Sequence, residues 1–377
     1  MPNTHSSLSP SSSHRWLACP PSARLCAAVE GMTEAGPFAK QGTDAHALAE
    51  HKVLIALGRD SPDPTENLDY FDGEMDSCTD EYRNFVLEQV EEAKKNCKDP
   101  LVLVEQKLDF SHWVPDGFGT GDCVIVADDT LQVIDFKYGL GILVDAKDNS
   151  QMRCYALGAL DAFDGIYDIR TVQMTIFQPR RNNISTDSMS KEDLLSWADT
   201  VLAPTAKLAA AGEGEFKAGD HCQFCKVKAT CRERAAYNLK LAAYDFAPPE
   251  TLEPLEIASI LDKVDNLVSW AGDVKEYALR QAQSGTEYEG WKVVEGRSVR
   301  KYRDDAAVAA AVTAAGYDPY EQKLLGVTAM TSLLGKKKFN EILGSLVYKP
   351  PGKPTLAPTS DKRPAYNTAQ NDFMEDN

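Results

Sequence analysis

Apolar and polar residues alternate along this chain with two different periods, and the switches between them mark out its elements. The Ser/Pro-rich opening is expected to be irregular as far as Trp16. The run SARLCAAVEG from Ser22 then reads as helix, and TDAHALAEHKVLIALG, Thr43 to Gly58, has the three-and-four spacing of an amphipathic helix. Thr43 is its expected cap and Gly58 its stop. Residues 59–73 read as a loop rich in Asp and Pro, and Ser77 to Lys98 as a charged amphipathic helix. The period then drops to two. LVLVEQKLDF (101–110), GTGDCVIVAD (119–128) and LQVIDFKYG (131–139) are short, β-branched and separated by Gly or Asp turns, which predicts an antiparallel meander. A helix with small residues follows from Asn149 to Phe163, then a strand over 170–180 and a helix over about 191–211. This order predicts an α/β core with a mixed sheet flanked by helices.

Past Cys231 helical spacing dominates, in segments 231–243 and 256–283 and in shorter helices across 304–343, with a hairpin expected over 289–303. The tail from 348 is Pro-rich and polar, so extended or disordered chain is expected. The chain therefore reads as a core over 14–235, a mainly helical accessory region over 236–347 and a flexible tail over 348–377. No internal repeat is visible.

One strand breaks the apolar pattern. In TLQVIDFKYG (130–139), alternation puts Leu131, Val133, Asp135 and Lys137 on one face and Gln132, Ile134, Phe136 and Tyr138 on the other. A solvated edge strand would account for an acid and a base two residues apart. Asp122 changes the picture, because it lies thirteen residues before Asp135 with a strand, a tight turn and a second strand between them. Two adjacent antiparallel strands can bring these carboxylates together, where their repulsion calls for a cation or a shared proton. Lys137 could then orient or help deprotonate a water, or stabilise charge on phosphorus. Glu105, in the preceding strand, is a further acid, and His46 and Glu50 share a helix face that could border the same site.

Composition narrows the class. The 377 residues are 43% hydrophobic and 26% charged, no run approaches the roughly 18 apolar residues of a membrane span, and the N-terminus lacks the features of a secretion signal. An intracellular protein is expected. A net charge of −17 argues against a passive nucleic-acid coat protein, though not against an enzyme acting on nucleic acid. Nine cysteines, odd in number and unevenly spaced, argue against a disulfide framework. Three of them, Cys222, Cys225 and Cys231, form C-x2-C-x5-C and can converge on one soft metal centre. Cys19 is the best fourth ligand, with Cys26 and His221 as competitors, and the spacing permits zinc or a [4Fe–4S] cluster. Cys26, Cys78, Cys97, Cys123 and Cys154 show no grouping and are expected to be buried small hydrophobes.

Taken in order, a helix with His46, a strand with Glu105, GTGD ending at Asp122, IDFK with Asp135 and Lys137, and QMRCY with Gln151 and Tyr155 resemble the RecB-type branch of the PD-(D/E)XK nucleases. The likeness covers roughly residues 14–235 and is greatest to the iron–sulfur members found in the AddB subunit of bacterial recombination complexes, in CRISPR-adaptation exonucleases and in phage-encoded proteins. It implies a restriction-endonuclease-like sheet. It also implies that His46, Asp122, Asp135 and the backbone carbonyl of Phe136 bind Mg²⁺ or Mn²⁺ and that Lys137 is the base or water-orienting group. Gln151 and Tyr155 would meet the DNA strand near the scissile phosphate. The same resemblance favours a [4Fe–4S] cluster on Cys19, Cys222, Cys225 and Cys231, stapling the two ends of the core.

Arg180, Arg181, Lys226, Lys228, Arg232, Arg234 and the run GKKKFNEI (335–342) are candidate phosphate contacts in an otherwise acidic chain. The resulting expectation is a metal-dependent deoxyribonuclease, an exonuclease acting on DNA ends or single strands in phage replication or recombination. It would work in the cytoplasm of a bacterial host, alongside phage replication or recombination proteins. The rival expectation is a non-catalytic metal-stapled scaffold or binding module that keeps the nuclease fold.

Overall fold

The computed structural model describes residues 6–29, 36–240, 253–295, 302–320 and 324–348. It divides into two compact units, Met1–Ser298 and Val299–Asn377.

The first unit is built on five strands in the order β1 (Leu101–Asp109), β2 (Phe118–Val126), β3 (Asp129–Phe136), β4 (Ile169–Gln178) and β5 (Asn183–Ser190). The β1–β2–β3 meander is antiparallel as expected; β4 runs parallel to β3, and β5 antiparallel to β4. A parallel neighbour needs a crossover, which α5 (Ser150–Phe163) supplies. Both faces of the sheet are covered. On one, Leu131 and Val133 join α5 and the helical run from α6 (Lys191–Trp197) through a π-turn to α7 (Ala203–Ala211). On the other, Ile134, Phe136 and Tyr138 pack with α3 (Pro37–Ala56) and α4 (Gly73–Ala93). The face alternation of β3 is thus that of a central strand, not of a solvated edge.

Several elements depart from expectation. The opening is not irregular up to Trp16: Pro10–Ser12 form a 3₁₀ turn and α1 spans Ser13–Ala18. Leu8, Pro10 and Trp16 are buried, and Ser13 Oγ lies 2.6 Å from Ser150 Oγ, so this segment is ordered by contact with the start of α5. A second helix, α2, spans Ser22–Ala27. Helix α3 begins at Pro37 behind Gly36, leaving Thr43 in its interior with its hydroxyl on Ala39 O at 3.2 Å; Gly58 does adopt the left-handed φ (+73°) of a stop. Strand β5 was not anticipated. Past the cysteines come α8 (Arg232–Leu239) and α9 (Pro254–Gln283). Of the expected hairpin, 289–295 contain no strand, while 296–301 lie outside the described residues, as do 349–377 of the tail. The second unit has α10 (Asp305–Ala314), α11 (Val327–Leu334) and α12 (Lys336–Leu343), so the C-terminal region is helical. No described helix is long and apolar enough to cross a membrane.

Candidate metal centre and cysteine cavity

The candidate site forms where the β2–β3 ladder stops. Pairing runs from Val126↔Leu131 to Cys123↔Ile134, a register that sets Asp122 opposite Asp135. Past that point the Phe136 amide donates to Asp122 Oδ2 at 2.6 Å, while the next amide, Lys137, turns the other way to Phe177 O of β4 at 2.8 Å. The β1–β2 ladder runs through Val104↔Cys123 and Gln106↔Gly121, which leaves Glu105 facing Asp122. Three carboxylates therefore stand in one row across three strands. Glu105 has φ +47° inside a strand, a conformation costing on the order of 1–3 kcal/mol that the surrounding ladder must hold in place.

Helix α3 brings His46 to this row. Its Nδ1 is 3.3 Å from Asp122 Oδ1 and 3.9 Å from Glu105 Oε1, and one ligand atom from each of His46, Glu105 and Asp122 lies within 4.8 Å of the others. Asp135 stands outside that compact trio and is held differently. Its side chain is 4% exposed; Lys137 Nζ approaches Oδ2 at 2.9 Å and donates to Oδ1 at 3.1 Å. Oδ2 gains an ion-pair contact but no hydrogen bond, which leaves a buried carboxylate oxygen with coordinating capacity unused. Gln151, in the first turn of α5, donates to Asp135 Oδ1 and to the Tyr155 hydroxyl, both at 3.2 Å, and its Oε1 lies 3.5 Å from Lys137 Nζ. The turn is fixed by Asn149, whose side chain caps the Gln151 and Met152 amides. Glu50, which shares the α3 face of His46, enters as a nearby charge that raises the Glu105 pKa.

Burial sets the electrostatics. It opposes charge on His46, but Asp122's charge and hydrogen bond, with Glu105, hold the imidazole protonated up to about 10. Asp122 is held below the usual carboxylate range: burial pushes it up, and His46, Lys137 and the Phe136 amide outweigh that. Burial raises both Asp135 and Glu105, with Lys137 opposing at the first and His46 at the second. Lys137 is raised, since Asp135 and Asp122 outweigh its own desolvation. Three carboxylates thus face two cationic side chains, and two of the three are pushed towards keeping a proton. A bound cation would relieve this by displacing the imidazole's proton, and carboxylates with a neutral imidazole are a donor set better suited to Mn²⁺ than to Mg²⁺. The residues fit a divalent ion.

The cysteines gather elsewhere. Cys19, Cys222, Cys225 and Cys231 line one cavity with Arg15 and His221. Ligands of one tetrahedral zinc would stand about 3.8 Å apart, given Zn–S bonds of about 2.3 Å. Among the described residues no three cysteine sulfurs lie within 4.8 Å of one another. The four cysteines share the lining of one cavity, but among the described residues no three of their sulfurs are grouped closely enough for a single zinc ion. Cys26 is buried as expected but not ungrouped: its Sγ lies 3.7 Å from Cys225 Sγ and accepts from the Lys226 amide at 3.3 Å. Its thiol is lowered to about 6, first by the bond to Cys225 and then by Arg15, against burial. Cys78, Cys97, Cys123 and Cys154 are buried.

Several basic candidates are already engaged. Arg234 is buried in an ion pair with Asp273 of α9, which also takes Lys228 at 2.8 Å. Arg180 pairs with Glu74 at 2.9 Å, its guanidinium 4.7 Å from the centre of the Tyr138 ring. Arg181 is exposed and donates to Leu140 O at 3.2 Å. Sequence reasoning missed Tyr82, whose ring packs 4.8 Å from Phe136 and whose buried hydroxyl has no partner. It also missed Gly119, where a Cβ would meet Pro10 at 2.7 Å and Tyr155 at 2.8 Å. Neither carries a local signal, since each matters only through a distant contact.

Among solved structures the chain is similar to one titled "Crystal structure of SSO0001", at 10% sequence identity over 49% of this chain and 95% of that one, with a TM-score of 0.24. A family model described as "Protein of unknown function (DUF2800)" matches residues 5–364. Since that match spans nearly the whole sequence, the chain belongs to the DUF2800 family.

Proposed function

We propose that this protein is a divalent-metal-dependent deoxyribonuclease that hydrolyses phosphodiester bonds, working from DNA ends. The observation that carries the reading is the convergence of His46, Glu105 and Asp122 within 4.8 Å beside a lysine held on the neighbouring carboxylate. His46, Asp122, Glu105 and Asp135 Oδ2 would hold Mg²⁺ or Mn²⁺, with the Phe136 carbonyl as a further ligand. When bound, the ion would supply Lewis acidity and lower the pKa of a coordinated water.

Everything else falls to the chain's own groups. Lys137, positioned by Asp135 and Gln151, presents an ammonium to the attacking water and to the charge that builds on phosphate oxygen. Gln151 and Tyr155, joined by a hydrogen bond, meet the strand beside the scissile phosphate. Asp122 ties the β3 backbone to the site through the Phe136 amide, one residue from Lys137. The cavity of Cys19, Cys222, Cys225 and Cys231 would hold a [4Fe–4S] cluster that staples the chain's first helices to the segment after α7. Replication or recombination of phage DNA in a bacterial host is the setting that suits this activity.

Digestion of 5′- and 3′-end-labelled single- and double-stranded DNA with Mg²⁺ or Mn²⁺ tests the reading. Metal-dependent release of nucleotides, lost in Lys137→Ala, is expected. Intact DNA of every end structure, with cluster-loaded protein, would overturn it.

A further inference from the structure

The loop from Gly139 to Asn149 runs from the residue after Tyr138 to the cap of α5, so it joins Lys137 to Gln151. Its second half is polar, with Asp145, Lys147 and Asp148 exposed, but its first half is unusual for a loop, because Leu140, Ile142 and Leu143 are 49%, 50% and 56% exposed. Isolated exposed leucines need no explanation; three in four positions next to a candidate active site do.

Their exposure is not looseness of the backbone. Gln178, 2% exposed at the end of β4, donates through Nε2 to Gly139 O at 3.0 Å and Ile142 O at 2.9 Å, and accepts the Val144 amide on Oε1 at 3.2 Å. Asn183 donates to Val144 O at 2.8 Å, Ser185 Oγ accepts the Ala146 amide at 3.0 Å, and Arg181 donates to Leu140 O at 3.2 Å. Six backbone groups are thus tied to β4, β5 and the turn between them, while the apolar side chains between the tied groups project into solvent. A loop held this firmly with aliphatic groups outward is preorganised to meet an apolar surface. Arg181 stands at its edge, exposed and without a carboxylate partner among the described residues.

Resting on the nuclease reading, we propose that Leu140, Ile142 and Leu143 form a wedge that packs against the terminal bases of duplex DNA and unstacks them, with Arg181 on the adjoining phosphate. The face of a terminal base pair is apolar and rimmed by phosphate, which complements three aliphatic side chains beside one exposed guanidinium that has no carboxylate partner among the described residues. Apolar wedges of Leu and Ile inserted between base steps are an established way to separate them. The wedge would deliver a separated strand to Gln151, at the far end of the same loop.

The test uses full-length protein carrying the triple change Leu140→Ser, Ile142→Ser and Leu143→Ser, whose exposed positions leave the core untouched, and separately Gln178→Ala, which unpins the loop. Cleavage is compared on blunt duplex and on single strands of the same sequence. The triple variant is expected to lower the duplex-to-single-strand rate ratio about tenfold or more, equivalent to at least about 1.4 kcal/mol. Gln178→Ala should shift the ratio the same way. A second readout is independent of cleavage: 2-aminopurine at the terminal pair should brighten when Lys137→Ala protein binds and stay dim with the triple change added. An unchanged ratio, or equal loss on both substrates, would overturn the wedge. If unaltered protein cleaves no DNA the nuclease reading falls, and the fluorescence then decides the wedge alone: brightening that the triple change abolishes supports it, and its absence sinks it.

Discussion

Replacing Lys137 with methionine keeps an unbranched chain of similar length and removes the ammonium with its charge and its hydrogen bond to Asp135, which makes it the sharpest probe of the row of acids. In the metal-free protein the change strands Asp135, whose side chain is 4% exposed and would keep only the Gln151 amide at 3.2 Å. Removing one partner of a fully buried pair costs about 3–5 kcal/mol. Lys137 is itself 28% exposed, so solvent already screens part of the attraction and the lower figure, about 3 kcal/mol, applies at pH 8. Protonation gives Asp135 an escape. Burial already raises its pKa with Lys137 opposing, and loss of the ammonium raises it further, so the penalty should shrink towards pH 5. Asp135→Asn removes the charge outright, so the double variant should recover most of the loss. Urea unfolding in EDTA of the four proteins of this cycle, at pH 5 and pH 8, gives the coupling energy directly. A coupling within about 0.5 kcal/mol of zero at pH 8 would mean the pair is solvated, refuting the desolvated site on which Lys137's assigned role depends. Activity supplies the second arm: Lys137→Met should lose on the order of 10² or more in rate, as for other transition-state charge partners.

Four further outcomes are expected. Asp122→Ala should abolish both divalent-metal binding and cleavage, whereas Lys137→Met should retain Mn²⁺ binding by calorimetry; equal loss of affinity in both would break the division between ligand and transition-state roles. In EDTA, the folded-state pKa of His46, about 10, lies above its unfolded value of about 6.5, so its stabilisation is complete below the latter and fades as pH rises through the former. The stability difference between unaltered protein and His46→Gln should therefore shrink between pH 6 and pH 10, and a constant difference would contradict the His46–Asp122 pairing. Protein purified without oxygen should be brown and carry about four irons, lost in Cys19→Ser; stoichiometric zinc without iron would remove the cluster assignment. Asp273→Ala leaves Arg234, 3% exposed, without its carboxylate, so amides of α8 and α9 should exchange about 10²-fold faster, corresponding to about 3 kcal/mol; unchanged exchange would show that the ion pair does not hold α9.

What the sequence disclosed depended on whether a feature was local. The meander was legible because β2 and β3 are apolar on both faces and separated by an Asp-rich turn, and the period-two pattern of β3 is the one by which its residues divide between the two cores. Strand β5 was not legible, since NISTDSMS is polar on both sides and owes its place to pairing with β4, a long-range fact. The helical opening was masked by Ser and Pro, residues that ordinarily announce loops but here bury Pro10 against Gly119 and bond Ser13 to Ser150. Gln178 was equally silent, as nothing in TVQMTIFQ says that its last side chain pins a loop nearly forty residues back.

The site lies between these cases. That Asp122 and Asp135 could meet followed from counting residues, because a turn over Ala127–Thr130 fixes Val126 opposite Leu131 and carries the register down to Cys123↔Ile134. One residue more in that turn would slide the pairing by one and put Asp135 across from a residue whose side chain faces the other core. Glu105 is the harder case. The parity of β1 and β2 sets it opposite Asp122, but its left-handed backbone (φ +47°) is a choice the local sequence LVLVEQKLDF does not favour, since glutamate gains nothing there by itself. The compensation has to come from outside the strand, and His46 on α3, with its nitrogen between the two carboxylates, is the group placed to give it. Strain in β1 and the position of a helix more than forty residues upstream are therefore two sides of one arrangement, which is why the acids were readable from the chain and their convergence on the histidine was not.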